Sequence, residues 1–347
     1  MKRFGAFMLA FKLFTGMNPS WVYVDNGKVH YLFELKGKKL TQGGIAINSY
    51  NFPYADSVVV GTQGKEHTYR GEISISVDRN GKLNVINRVK LEDAVKSVTP
   101  LIPVGERNGE LLKLKSIIAR TLLLYLARTK GVIPDSTKFF VYTGRDGEQS
   151  LANFASKFTT GVFLTENDSL IVPFYHINSG GITEDGEDVN CPYDYLVSKM
   201  DSFAKFGKNF EWKVIITKDS LYKILGTRIL SPFEFTSSGR VVSFKTDSNR
   251  VISANRIRGV LGLPSLLIYT EENKDTFYIY GRGKGSGLGI SLESADYMTS
   301  SGMSYIDVIK FFYGEKVNIT RRFTDEELYR IPVVQYTQKA GTCPHYR

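Results

Sequence analysis

The sequence predicts an α+β fold: mostly short β-strands packed around a long central helix, with a second helix after a glycine-rich strand. Three observations predict it. Residues 21–87 alternate apolar and polar side chains in short runs; one 22-residue stretch is apolar on more than one face; and five glycines recur at every second position from Gly281 to Gly289.

The strands come first. "WVYV", "KVHYLFEL", "EISISV" and "KLNVINRV" are broken by Asp25-Asn26-Gly27, Gly43-Gly44 and Arg79-Asn80-Gly81, the turn chemistry of half-buried hairpins. Next, "ELLKLKSIIARTLLLYLARTKG" follows Asn108-Gly109 and stops at Gly131 with Pro134 beyond, which predicts a helix through the core. Glu110, Ile117 and Thr121 fall near one line of it, and Lys113 and Arg120 share a neighbouring face. Arg120 therefore either pairs with a carboxylate to tie the helix to a loop, or lines a cleft and orients an anionic or polyhydroxyl ligand. A second β tract runs from Thr159, turns near Glu166–Ser169 and ends in "NSGGITEDGEDVNCPYDYL", which holds Glu184, Asp185, Glu187 and Asp188. Beyond Asp201 come "WKVIIT", a short helix at "SLYKILG", further strands, and "DTFYIYGRG".

The glycine run fails two phosphate fingerprints. At i+5 from Gly281, Gly283, Gly285 and Gly287 stand Ser286, Leu288, Ile290 and Leu292, and Gly283-Lys284 is followed by Gly285 where a P-loop needs further spacing and a hydroxyl. What remains is a strand bare of side chains on one face, leading to a helix near Ser291 whose hydroxyl suits a cap and whose Glu293 suits the positive helix end. Such a strand is either a tight crossing against the protein's own chain or a wall that a ligand approaches closely.

Composition narrows the partners. The chain carries a net charge of +10, which draws it to anions: nucleic acid, anionic lipid or the acidic bacterial wall. The basic residues are scattered, with small clusters at Lys36–Lys39, Arg256–Arg258 and Arg321-Arg322, and no zinc finger, basic helix or base-stacking signature accompanies them, so nucleic acid is not the expected partner. Two cysteines, Cys191 and Cys343, with His345 beside the latter, offer no paired metal-ligand spacing; one disulfide or two inert thiols fit them, and neither a metal nor a cofactor is expected. Met1-Lys2-Arg3 and the apolar run Phe4–Phe11 read either as a leader, interrupted by Lys12, or as a terminal helix or strand packing on the domain. The linear division is 1–20 leader, 21–90 β-rich part, 91–314 core and 315–347 C-terminal extension.

"GRGKGSGLGIS" followed by "SADYMTSSGMSYIDVIKFFYG" resembles the carboxyl-terminal signature of the stage II sporulation protein D and amidase-enhancer family. Four more blocks resemble that family in the same order: "YRGEISISVDRNGKLNVINRVKLEDAVKSVTP", "ELLKLKSIIARTLLLYLA", "TTGVFL" with "PFYHINSGGITEDGEDV", and "IRGVLGLPS". The resemblance spans, with gaps, Tyr69 to Gly314. It implies an exported or envelope protein of cell-wall remodelling, with peptidoglycan glycan strands as ligand and a wall amidase as partner. The implied chemistry is lytic transglycosylation, in which one carboxyl with a raised pKa protonates the glycosidic oxygen and then takes the proton of the sugar's C6 hydroxyl.

Three positions depart from the pattern. The family's catalytic glutamate lies in an S-E-M-P tract before the long helix, where this chain has Pro100-Leu101-Ile102-Pro103, and Ile102 is read as the residue in its place. Ser286 replaces the histidine of the glycine motif, and Leu292 its glutamine. Glu110 matches the family's helix-start glutamate and becomes the candidate acid, with Glu106 four residues earlier; charges in a first helical turn are also what the helix dipole favours. The expected glycan contacts are Arg120, Ser179, Gly180, Gly181, Thr183, Glu184, Gly285, Ser286, Gly287 and Ser291. Thr183 and Glu184 would otherwise bond local amides in a tight turn.

Overall fold

The computed structural model describes residues 7–105, 107–137 and 140–333. Glu106, Cys343, His345 and the leader residues 1–6 lie outside them. The chain folds into two compact units that are not consecutive in sequence. Among the described residues one holds 7–102, Leu112–Val172 and 318–333, and the other Pro103–Leu111 and Pro173–Val317. The second unit is thus inserted in the first, and the linear division does not follow these boundaries.

The first unit is built on nine strands: β1 (Met8–Lys12), β2 (Trp21–Asp25), β3 (His30–Lys36), β4 (Lys39–Gln42), β5 (Ile45–Ile47), β6 (Ser49–Thr62), β7 (Lys65–Val77), β8 (Leu83–Lys90) and β9 (Val132–Pro134). Their order is β5-β4-β3-β2-β6-β7-β8-β1-β9, antiparallel except for β1 beside β9. The turn residues act as the sequence predicts. Asn26 Oδ1 accepts from the amides of Lys28 and Val29, and Asp78 Oδ1 from those of Asn80 and Lys82, closing the β2–β3 and β7–β8 hairpins. Within the N-terminal apolar run, residues 8–12 form a strand with Leu9 and Phe11 fully buried, because strand alternation turns both to one face.

Helix α1 (Leu91–Val98) precedes α2 (Gly109–Lys130). Asn108 Oδ1 accepts from the Leu111 amide at the start of α2, and Gly131, at φ +72°, ends it. Its leucines and isoleucines from Leu111 to Leu126 are all buried, as an all-round apolar pattern requires. Leu112 packs with Ala152 and Ala155 of α3 (Ser150–Phe158). The stretch 318–333, set apart in the linear division as an extension, belongs to this unit: Asn318–Arg321 pairs antiparallel with Val162–Glu166.

In the second unit, strands Glu211–Thr217, Thr276–Arg282 and Leu267–Glu272 form one antiparallel sheet and Leu230–Phe235, Val241–Thr246 and Val251–Ser253 another. Phe277, Ile279, Ile268, Phe244 and Leu221 share their core. Helices Leu292–Ser300 and Tyr305–Tyr313 follow, the second opened by a capping box between Ser304 and Asp307. Cys191 is buried. Among the described residues no helix is long and apolar enough to cross a membrane.

Candidate functional site

The loop after His176 and the glycine run are laced together inside the second unit. The Lys284 carbonyl accepts from the amides of Ile177 and Asn178, Asn178 O accepts from Lys284 N at 2.8 Å, and Glu184 N donates to Gly287 O at 2.9 Å. The strand ends at Arg282, and Gly283, Gly285, Gly287 and Gly289 all have positive φ, so the two-residue spacing no longer marks one face of an extended chain. Each glycine lies against the protein itself. A Cβ on Gly281 would strike Trp212; on Gly283, Asn178 O at 2.7 Å; on Gly285, His176 Cβ at 2.6 Å; on Gly287, the Arg240 guanidinium carbon at 2.5 Å; on Gly289, Phe174 O. The expected bare wall for a ligand is corrected to a tight crossing, and Gly287 is closed off by Arg240.

Gly285 and Ser286 do border a pocket of about 180 Å³, together with Glu184, Asn255, Arg240 and Arg258. Arg240 organises it. Its Nη2 donates to the Ser179 and Ile182 carbonyls at 2.8 Å, its Nη1 to Ser238 Oγ at 2.8 Å, and Nη1 lies 3.9 Å from Glu184 Oε2. Glu184 is 1% exposed, and burial pushes its carboxyl up while Arg240 pulls it back. Its oxygens also accept from the Asp185 amide and the Thr236 hydroxyl. Burial lowers the pKa of both Arg240 and Arg258. The pocket therefore combines two cations, a reluctant carboxylate and the Ser286 hydroxyl, a set that can bind a polyhydroxyl or carboxylate-bearing ligand. Beside it His176, 4% exposed, bonds Leu288 O at 2.9 Å through Nδ1, which must carry the proton because a carbonyl only accepts. Its Nε2 has no hydrogen-bond partner among the described residues, and burial takes its pKa down to about 3.

The other predicted contacts are occupied. Ser179 Oγ donates to Asp201 Oδ2 at 2.6 Å, Ser294 Oγ reaches the same oxygen at 2.7 Å, and Ser291 Oγ pairs with Ser294 Oγ and accepts from Ser179 N. All four side chains are buried, so Ser179 and Ser291 serve this network, and Ser291, although it stands at the helix start, makes no side-chain cap. Gly180 and Gly181 carry the turn between them, and Thr183 Oγ1 accepts from Lys199 N at 2.8 Å, an amide from a distant segment rather than a local one. Glu293 accepts from Asn178, Asn209 N and Asn209 Nδ2.

Glu110 Oε2 accepts from the Tyr305 amide at 3.1 Å. Its carboxylate thus lies at the start of its own helix and of Tyr305–Tyr313, where a helix N-terminus is the favourable end for an acidic side chain. Arg120 takes the pairing reading: fully buried in the first unit, it grips Glu92 of α1 through Nε and Nη2, both at 2.8 Å, and donates to Ser156 O at 3.2 Å. In the Pro100–Pro103 tract, Ile102 is 0% exposed and Leu101 is half-buried. Neither side chain between the two prolines, Leu101 or Ile102, carries a carboxyl. Sequence reasoning missed Arg240, His176 and Asp201, each of which has a partner 22 to 112 residues away.

The family model described as "Stage II sporulation protein" matches residues 79–171. Stage II sporulation protein D of Bacillus subtilis is 26% identical over 277 residues, 73% of this chain and 80% of that protein. The protein of the same name from Bacillus amyloliquefaciens is 26% identical over 288 residues, with the same shares covered. The amidase enhancer of Bacillus subtilis is 22% identical over 279 residues, 63% of this chain and 39% of that protein.

Proposed function

Because the chain is a divergent member of the stage II sporulation protein D and amidase-enhancer family, we propose that it serves cell-wall remodelling in the envelope by holding peptidoglycan glycan strands without cutting them. The observation that carries this reading is the tract Pro100-Leu101-Ile102-Pro103, which has no carboxyl where the family's proton donor stands. Transglycosylation needs one carboxyl to donate and then accept a proton, and no apolar side chain does either. Glu110, the remaining candidate, is bound to the Tyr305 amide. The pocket of Glu184, Arg240 and Ser286 supports binding, and the net charge of +10 supports attraction to an acidic wall.

The test is sedimentation with purified sacculi followed by analysis of released muropeptides. The protein co-sediments, less so at high salt because the attraction is partly screened, and no anhydro-muropeptides appear. Release of anhydro-muropeptides overturns the reading; if Glu110→Gln then abolishes the release, Glu110 is the acid after all. The relative named as an amidase enhancer favours a second reading, in which the bound protein stimulates a wall amidase. Adding it to amidase and sacculi and measuring released peptide distinguishes enhancement from binding alone.

A further inference from the structure

Helix α3 of the first unit turns its small residues in and its large ones out. Ala152, Ala155 and Ser156 are buried, both alanines against Leu112 of α2, whereas Leu151 is 56% exposed, Phe154 63% and Phe158 57%. A surface helix ordinarily buries its large apolar side chains. Positions 151, 154 and 158 fall on one face, and the Phe154 and Phe158 rings meet edge to face with centroids 4.7 Å apart, so the three form a continuous ridge. Phe323, 70% exposed, extends it beyond Gly161; Arg321 ties it in, donating to Phe158 O at 3.4 Å and lying 5.6 Å from the Phe323 ring. The four side chains expose roughly 450 Å² of mostly apolar surface, the size of patch that marks an interaction site. Beside the ridge, between α3 and α1, runs a groove of about 660 Å³ lined by Arg70, Glu92, Lys96, Glu148, Asn153 and Phe154 itself.

We propose that this ridge and groove are the interface of a homodimer, in which a second copy of the chain packs about a two-fold axis with its α3 antiparallel. Ridge and groove lie side by side on one face, so a single rotation seats each ridge in the other copy's groove, the self-matching that an isologous contact requires. Charge points to a protein rather than a bilayer as the occupant. Lys113, 5.7 Å from the Phe158 ring, Lys157 and Arg321 flank the ridge, but Glu92 and Glu148 stand in the groove and Asp325, Glu326 and Glu327 follow Phe323, and an anionic lipid surface repels those acids. A rim of both signs suits a second copy. With the axis at Phe154, Lys157 of one copy lies beside Leu151 of the other and one turn from its Glu148. Arg70 already pairs with Glu148 at 2.9 Å and Lys96 with Asp93 at 2.8 Å, whereas Lys157 has no ion pair among the described residues, and the dimer supplies one. Inside the groove, the Arg70 guanidinium and the Lys96 stem give the incoming Phe154 ring a cationic and aliphatic wall. A stable interface takes about 800 Å² from each partner, of which the ridge supplies about half and leaves the remainder to the groove walls. The proposal is independent of the glycan-binding reading above.

The experiment is sedimentation velocity of the purified full chain at concentrations from about 1 to 100 µM, with hydrogen exchange at both ends of the range. The wild-type protein passes from monomer to dimer, and exchange of the 150–158 amides slows as it does. Phe154→Glu with Phe158→Glu weakens association by about a hundredfold, because it sets carboxylates in the apolar contact and brings like charges together across the axis. Both residues are exposed in the single chain, so at monomeric concentrations this variant keeps the wild-type melting temperature, which separates lost association from lost folding. Lys157→Gln, which leaves the ridge whole, weakens association less, by about fivefold. A wild-type chain that stays monomeric throughout overturns the proposal. So does a dimer that the double glutamate variant forms equally well, since its interface then lies elsewhere. A monomer that binds vesicles of phosphatidylglycerol and phosphatidylethanolamine, or a wall amidase, through Phe154 and Phe158 assigns the ridge to a bilayer or to another protein, and also overturns it.

Discussion

Removing Glu92 is expected to unfold the first unit far more readily than its half-exposed position suggests. The Arg120 guanidinium is fully buried, and the two Glu92 oxygens at 2.8 Å are its charged partners; its other contacts are the Ser156 carbonyl at 3.2 Å and the Ser116 and Val162 carbonyls and Thr159 hydroxyl at 3.4 Å. Glu92→Ala leaves that charge in the interior with neutral acceptors at long distance. Breaking a buried pair from one side costs about 3–5 kcal/mol, and because Glu92 is 35% exposed and water can enter its place, the lower end, about 3 kcal/mol, applies. At roughly 2–4 °C per kcal/mol for a unit of this size, the melting temperature drops by about 6–12 °C. Differential scanning calorimetry reads this and separates the two units if they melt in two steps. Replacing both partners, Glu92→Leu with Arg120→Met, is the control, since it removes the stranded charge and recovers most of the loss. A Glu92→Ala protein melting within about 2 °C of wild type refutes the reasoning, and would return Arg120 to the role of a ligand contact.

Other outcomes follow from the second unit. Gly287→Ala drives a methyl into the Arg240 guanidinium at positive φ and costs about 3 kcal/mol in urea unfolding, whereas Gly16→Ala, also at positive φ but with nothing within 4 Å, costs about 1 kcal/mol. His176 is neutral in the fold with its pKa lowered to about 3, so the unfolded chain binds the extra proton first. Stability is therefore full above the unfolded value near 6.5 and falls with pH toward 3, by about 3 kcal/mol at pH 4; a titration of unfolding free energy should show that slope, and His176→Asn should flatten it. Ser304→Ala removes one half of a capping box and lowers stability by about 1 kcal/mol, read from the same unfolding curves.

Features set by neighbours along the chain were legible in the sequence. Asn26 and Asp78 close hairpins through amides two to four residues away, and the helix from Gly109 announces itself by its apolar faces and its Gly131 stop. The pairing of Arg120 was legible too, as a buried arginine needing a carboxylate, although the partner proved to be the first turn of α1. The candidate site was less so. Ser179 and Ser291 look like sugar donors in isolation, and only the arrival of Asp201 and Ser294 from distant segments shows both hydroxyls already used. Likewise the glycine spacing implied one bare strand face, a deduction valid only while the chain stays extended, and it turns at Gly283. Arg240, inside "SSGRVVSF", carries no local signal of the three carbonyl and hydroxyl oxygens it gathers from 2 to 61 residues away.

The insertion of Pro173–Val317 within the first unit sets an order for synthesis. A ribosome delivers the chain from its amino terminus, so the second unit's long segment emerges before Asn318–Arg321, the strand that pairs with Val162–Glu166. Until then that strand, with Phe163 and Leu164 destined for full burial, presents an open edge to any other nascent or unfolded chain. A product terminated before residue 318 would retain every described residue of 7–172 and still lack the closing strand of their sheet, so it should aggregate where the longer chain folds.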